Sequence, residues 1–192
     1  MSHPDADKWN AVYLAGKHDR NQPARVLKDY AHLLPEVGKA LDLACGTGAN
    51  AIFLAQHGLQ TSAWDISEQA IKRLNETANL LHLNIYTDVR DVIAKPPEAD
   101  MFDVIVVSYF LDRGLMPLLI KALRNGGLLF YQTFIKEKVD DSGPHNPDYR
   151  LDANELLRLF AGSHIIYYRE EGSVGRTGMG LRNEAVLVAQ KR

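Results

Sequence analysis

Residues 102–108, Phe102-Asp103-Val104-Ile105-Val106-Val107-Ser108, place four β-branched side chains in a row. Successive side chains of a strand point to opposite faces, so an unbroken apolar run must be buried on both. That is the situation of a strand inside a parallel sheet covered by helices. The neighbouring segments fit this frame. Residues 40–44, 60–64, 84–87 and 128–134 read as further strands, and residues 50–57, 67–80 and 115–123 as helices between them. Gly58 closes the first of these helices, and Ser67 stands where the next needs an N-cap. Residues 24–34 read as an earlier helix that Pro35 ends, and Asn125-Gly126-Gly127 as the turn into the fifth strand. Asp152 and Glu155 form a capping-box pattern before a short helix. Strands at 164–169 and 185–189, joined by a Gly-rich connection, complete a doubly wound α/β sheet.

Charge excludes several partners. Lys and Arg number 22 against 24 Asp and Glu, a formal charge of −2. Such a chain has no bulk attraction to nucleic acid or to an anionic membrane. No apolar run approaches the roughly 20 residues of a spanning helix, and residues 1–8 are polar, without the apolar stretch of a secretory signal. The one cysteine, Cys45, allows neither an internal disulfide nor a Cys-rich zinc module. A reducing, cytoplasmic setting and no metal are therefore expected.

Ligands of doubly wound sheets bind beyond the carboxyl ends of the strands. After the first strand comes Asp42-Leu43-Ala44-Cys45-Gly46-Thr47-Gly48-Ala49-Asn50-Ala51, where glycines permit a tight turn and close backbone approach. Asp65 follows Gly48 by seventeen positions, at the end of the second strand, where a carboxylate accepts ribose hydroxyls. Asp88, at the end of the third strand, is placed to accept from an adenine amine. Together these three places predict an adenosine-bearing ligand.

The same residues resemble the class I S-adenosylmethionine-dependent methyltransferases. The likeness is carried by Asp42 four residues before Gly46, by Ala63-Trp64-Asp65-Ile66-Ser67, by Phe102-Asp103-Val104-Ile105 and by Arg124-Asn125-Gly126-Gly127-Leu128. It implies a Rossmann-like, doubly wound, seven-stranded sheet, mostly parallel with an antiparallel C-terminal hairpin strand. It also implies a single domain in which residues 1–37 form an N-terminal helical segment over the cofactor and residues 38–192 the methyltransferase domain. The family's D-x-G-x-G-x-G has Ala44 for its first Gly, a change expected to tighten packing slightly and to retain binding. Trp9-Asn10 with Tyr13, Asn154-Glu155-Leu156-Leu157, and the stretch from Gly175-Arg176-Thr177 to Val188-Ala189 look like the small tellurite-resistance-type methyltransferases. Members acting on soft chalcogen nucleophiles often carry His before the Arg matching Arg176; here that residue is Gly175.

By resemblance, the cofactor is S-adenosyl-L-methionine. Asp42 orients its methionine amino end, and the backbone at Ala44, Gly46 and Gly48 lies against it. Asp65 takes the ribose hydroxyls, Ile66 packs on adenine, and Asp88 with the Val89 backbone reads the adenine edge. Ser108 and Tyr109 sit near the methyl group, and Tyr13 lies over the cofactor. In-line methyl transfer needs mainly alignment and exclusion of water. A soft nucleophile needs no strong base, whereas a hydroxyl or ammonium does. Acceptor candidates are Asp140, Asp141, His145 and Tyr149 after the fifth strand. The hairpin connection adds Arg176, Thr177, Met179 and Arg182, the two arginines suited to an anionic acceptor. Tyr109, Arg176 and Arg182 are the expected catalytic residues, and the partner is a small-molecule methyl acceptor. Cys45, beside the methionine chain, is badly placed for a nucleophile. Ser108-Tyr109-Phe110-Leu111 lacks the double-proline signature of base-amino methylases, which argues against a nucleic-acid acceptor. Two other readings remain: a catalytically silent cofactor-binding module, and an NAD-dependent oxidoreductase, which would want a substrate domain after the sheet.

Overall fold

The computed structural model describes residues 4–16 and 21–192. Its strands are β1 Lys39–Leu43, β2 Gln60–Asp65, β3 Ile85–Val89, β4 Phe102–Ser108, β5 Leu123–Phe134, β6 His164–Glu170 and β7 Glu184–Gln190. Its α-helices are α1 Pro4–Leu14, α2 Arg25–Asp29, α3 Ala49–Gln56, α4 Glu68–Leu80, α5 Met116–Ala122 and α6 Glu155–Leu159. The strands form one sheet in the order β3-β2-β1-β4-β5-β7-β6. Strands β1 to β5 are paired parallel, and β7 runs antiparallel between β5 and β6. This is the expected Rossmann-like seven-stranded sheet. The strand order reverses between β1 and β4, which opens a crevice at their carboxyl ends.

Alternation along the strands divides the core in two. Leu41, Leu43, Ile105, Val107, Leu129 and Tyr131 point to the side covered by Met116 and Leu119 of α5. Ala40, Val104, Val106, Leu128 and Phe130 point the other way, against Val26, Leu27 and Leu54 of α2 and α3. All four β-branched residues of β4 are fully buried, as the opening run required. Asp42 lies two residues after Ala40, so it shares the α3 side.

The structure departs from expectation in four places. The helix expected over 24–34 stops at Asp29, and a 3₁₀ turn follows at Ala31–Leu33. Tyr30 leaves helical geometry at φ −114° with its ring 4.3 Å from that of Tyr167, and Leu34 takes the extended backbone that Pro35 imposes. Pro4–Leu14, given no bounds of its own within the N-terminal segment read as helical, forms a helix separate from the one at Arg25–Asp29. The third strand runs on to Val89, so Asp88 and Val89 belong to it, paired with Trp64 and Asp65. Strand β5 starts at Leu123 and contains the Asn125-Gly126-Gly127 turn as a looped-out excursion. Its register moves from Leu123 to Leu128 while β4 moves only from Phe102 to Val104, and Gly126 bends at φ +80°.

Two capping expectations are met unequally. Ser67 caps α4, its Oγ accepting from the Ala70 N–H at 3.2 Å. Only half of the second box forms: Glu155 Oε2 accepts from the Asp152 N–H at 2.7 Å, while Asp152 Oδ1 accepts from Lys136 Nζ. Glu155 is instead gripped by Arg113, which holds its carboxyl below the usual range. Among the described residues no helix is long and apolar enough to cross a membrane.

Candidate active site

The loop between β1 and α3 turns on three left-handed residues, Ala44 at φ +54°, Gly46 at φ +54° and Gly48 at φ +80°. At Gly48 the backbone lies against α4, and an added Cβ would stand 2.3 Å from Leu74 Cδ1. At Gly46 an added Cβ would stand 2.6 Å from the Tyr13 hydroxyl. Ala44 holds the same conformation without glycine's freedom. A left-handed residue with a Cβ costs about 1–2 kcal/mol, partly offset by the lower chain entropy of Ala when unfolded. Ala44→Gly is therefore expected to raise stability by up to about 1 kcal/mol, read as a higher urea midpoint at constant slope; a lower midpoint would show that the methyl's packing outweighs the strain.

Asp42 is fully buried beneath the start of α3. Its Oδ2 accepts from the Ala51 N–H at 3.0 Å and its Oδ1 from Asn50 Nδ2 at 3.2 Å. Burial pushes its carboxyl up to about 8, against the pull of those donors. Asp65 is buried at the end of β2. Its Oδ2 accepts from the Gly46 N–H and its Oδ1 from the Ser67 N–H, both at 2.8 Å. Burial raises its carboxyl too, opposed by the same two amides. Cys45 is buried in the loop, its thiol pushed well up by burial and then by the Asp42 and Asp65 carboxylates, so it is no thiolate nucleophile. Ile66 follows Asp65, half-buried, and Val89 is exposed opposite Asp65. Asp88 is exposed, 3.8 Å from the Arg90 guanidinium. Arg90 itself stacks on Trp64 at 3.9 Å.

Helix α1 packs against α4 and forms a roof. Asn10 Oδ1 accepts from Ser67 Oγ at 2.7 Å and from the Gln69 N–H at 3.2 Å. Tyr13 is buried with its hydroxyl over Gly46. Lys8 Nζ lies 5.5 Å from the ring of Trp9 and 5.9 Å from that of Tyr149, so the roof reaches the loop after β5. Residues 1–3 and 17–20 of the expected N-terminal segment lie outside the described residues.

Three residues that carried no expectation organise the other half of the crevice. Asn50 Oδ1 accepts from the Ala24 N–H at 2.8 Å, which fixes its amide; its Nδ2 then donates to Asp42 and, at 2.9 Å, to Ser108 Oγ. Gln132, buried in β5, works the same way. Its Oε1 accepts from the Val26 N–H at 2.9 Å, and its Nε2 donates to the Tyr109 hydroxyl at 2.9 Å and to Glu184 Oε2 at 2.6 Å. Glu184 Oε2 also accepts from the Tyr109 hydroxyl at 3.4 Å. The signal in the sequence was a polar residue in an apolar element: a buried amide needs partners, so Asn50 and Gln132 mark places where polar groups converge. Tyr109 adopts φ +58°, a strained conformation for a bulky side chain.

The expected acceptor residues separate. Arg182 donates to the carbonyls of Met179, Gly172, Val174 and Arg176, and so holds the β6–β7 connection in shape. Arg176 is exposed, beside a hollow of about 550 Å³ lined also by Glu170, Gly175 and Met179. Thr177 is exposed in the same connection. Asp140 accepts from Ser142 N–H in its own loop and from Asn183 Nδ2 just before β7, Asp141 pairs with Lys138, and His145 is exposed. Among the described residues no cluster of His, Cys, Asp or Glu has the form of a metal site.

Against this geometry stand one family model and three relatives. The family model described as tellurite resistance protein TehB matches residues 13–180. A probable S-adenosyl-L-methionine-dependent methyltransferase TehB from Haemophilus influenzae is 38% identical over 89 residues, 45% of this chain and 31% of that protein. The crystal structure of TehB from Haemophilus influenzae superposes with a TM-score of 0.73 at 26% identity, covering 94% of this chain and 66% of that one. A putative methyltransferase YqeM from Bacillus subtilis is 26% identical over 178 residues, 85% of this chain and 63% of that protein. In each case the match spans less than two thirds of the relative's own length.

Proposed function

Because the chain belongs to the tellurite resistance protein TehB family, we propose that it is a methyltransferase that uses S-adenosyl-L-methionine and delivers the methyl group to a small molecule, of the soft chalcogen or thiol kind. One observation carries this reading. The buried Asp65 carboxylate stands at the end of β2 and is tied to the Gly46 amide, beside the point where the strand order reverses. A carboxylate so placed is suited to a ribose diol.

The chemistry of the site fits the group. Asp65 holds the ribose, with Ile66, Asp88 and Val89 along the adenine. Asp42 acts on the methionine amino end, and Ala44, Gly46 and Gly48 bring backbone against it. Tyr13 and Ser108 close the site from the roof and from β4. Residues 1–37 serve as its cover over a domain of residues 38–192. When bound, S-adenosyl-L-methionine supplies an activated methyl group on a sulfonium. Tyr109 is the catalytic residue nearest the transfer, and Arg176 meets the acceptor from a loop that Arg182 shapes.

Charge gives the test. Asp42 titrates at about 8 when folded and at 3.8 when unfolded, so between those values the folded chain holds more protons. Its contribution to stability therefore falls as pH rises across that window. A ligand bearing sulfonium and ammonium charges favours the carboxylates, so binding releases protons and tightens as pH rises toward 8. Calorimetric titration with S-adenosyl-L-methionine at pH 7, in two buffers of different ionisation enthalpy, is expected to show binding with net proton release. Equal heats in both buffers would remove the coupling, and no binding would remove the reading. S-adenosylhomocysteine should appear once an acceptor is supplied; binding without turnover across thiols, selenite, tellurite, halides and small carboxylates would mark a silent module.

A further inference from the structure

The amide of Asn50 links two strands at the point where the strand order reverses. On one side stands Asp42 of β1, on the other Ser108 at the end of β4, and the strands are paired there, Leu43 with Val107. Asn50 Nδ2 donates to both, to Asp42 Oδ1 at 3.2 Å and to Ser108 Oγ at 2.9 Å. Its Oδ1 accepts from the Ala24 N–H at 2.8 Å. A backbone N–H can only donate, so this contact settles which way the amide lies. Turned over, Asn50 would set its NH₂ against the Ala24 N–H and its carbonyl against the Asp42 carboxylate. The amide oxygen and both N–H groups are therefore committed, and the residue is almost sealed from solvent at 4% exposure.

Packing alone does not ask for this residue. Asn50 is the second residue of α3, and its buried companions on that helix are Ala51 and Leu54. A buried polar group is costly unless satisfied, and an apolar side chain of like shape would fill the same space. What the amide adds is a donor to a fully buried carboxylate. Asp42 accepts otherwise from the Ala51 N–H at 3.0 Å, while a carboxylate has room for about four such bonds. Burial raises its titration; Asn50 and the Ala51 N–H oppose that rise, and Asp65 at the end of β2 adds to it. Cys45, from the loop between, faces both carboxylates with a thiol that stays protonated. Of the two groups that favour the Asp42 carboxylate, Asn50 is the one that a substitution can remove.

We propose that Asn50 is a positioning residue of the cofactor site: acting through Asp42 rather than on the ligand, it fixes the Asp42 carboxylate and the Ser108 hydroxyl relative to one another for a cationic methionine end. The proposal rests on the methyltransferase reading above, in which Asp42 acts on the methionine amino end. Without the Asn50 donor, Asp42 holds its proton to higher pH, and an arriving ammonium must expel that proton over a wider range. Loss of Asn50 therefore weakens binding most where Asp42 is protonated and least where it is already a carboxylate.

The test is calorimetric titration of the full chain with S-adenosylhomocysteine, which carries the ammonium without the sulfonium, at pH 6.5 and at pH 9. Asn50→Ala is expected to bind about tenfold more weakly than wild type at pH 6.5, the worth of one charged hydrogen bond. At pH 9 the deficit is expected to shrink to about twofold. The ligand's amine and Asp65 titrate alike in both proteins, so they cancel from the comparison. Should Asn50→Ala fail to fold, Asn50→Leu, which keeps the shape without a donor, is expected to give the same pair of values. An equal deficit at both pH values marks a residue that only supports the fold and overturns the proposal, as does a deficit that grows with pH or no deficit at all. If wild type does not bind S-adenosylhomocysteine, the cofactor reading falls and takes this proposal with it. If wild type binds and its affinity ignores pH between 6.5 and 8, only the role of Asp42 and this proposal fall.

Discussion

Asp65→Ala is expected to weaken S-adenosyl-L-methionine binding by about 10- to 100-fold, the loss of one to two charged hydrogen bonds. The structure adds a second cost to the one the ribose would feel. Asp65 accepts from the Gly46 and Ser67 amides, and its removal strands both N–H groups in a buried place. An unsatisfied buried donor costs about 1–3 kcal/mol, so a fall in thermal midpoint should accompany the loss of affinity. Asn is no neutral replacement, because its NH₂ would face one of those two donors. Calorimetry on the folded variant separates the effects. An affinity equal to wild type would remove Asp65 from the cofactor site and leave it a loop fastener.

Gly48→Ala is expected to cost about 2–5 kcal/mol of stability, from overpacking and from the left-handed backbone together. The new Cβ would meet Leu74 Cδ1 at 2.3 Å and Cδ2 at 2.7 Å, with Leu74 fully buried and unable to swing away. Leu74→Ala, which opens that space, costs about 2–5 kcal/mol by itself. The double variant should lose clearly less than the two singles added, because the cavity of one accepts the methyl of the other. Additive losses in urea denaturation would show that the helix, not the side chain, sets the limit. On this account Gly48 is kept for the contact between the loop and α4, independently of any ligand.

These two residues show what a sequence reveals and what it hides. Period-two burial and strand-length apolar runs fix the sheet, since β4 has no other way to hide Val104, Ile105, Val106 and Val107. The glycine loop and Asp65 follow from it, because both lie next to strands in the chain. The acceptor half does not follow in that way. Tyr109, Gln132 and Glu184 come from just past β4, from β5 and from β7, and their meeting depends on the register of β5 with β4 and β7. Nothing local in the chain encodes that register near Glu184. Gln132 was the accessible clue, an amide in the apolar run of 128–134. The shortened α2 was hidden for a similar reason, since Tyr30 is drawn out of the helix by Tyr167, far along the chain.

The reversed direction of β7 has a consequence for how such a protein can diversify. Strands β1 to β4 and the loops that follow β1 and β2 carry the residues assigned to the cofactor, apart from Tyr13 of α1. Glu184 and the arginine loop before it arrive together on one late stretch, from the β6–β7 connection into the start of β7. That stretch meets the parallel part of the sheet mainly through backbone pairing of β7 with β5, which tolerates many side chains. On the proposed reading, exchanging it can alter what is methylated while leaving intact what donates the methyl. If that reading holds, the donor and acceptor ends of the site can change independently, the second by rewriting one hairpin.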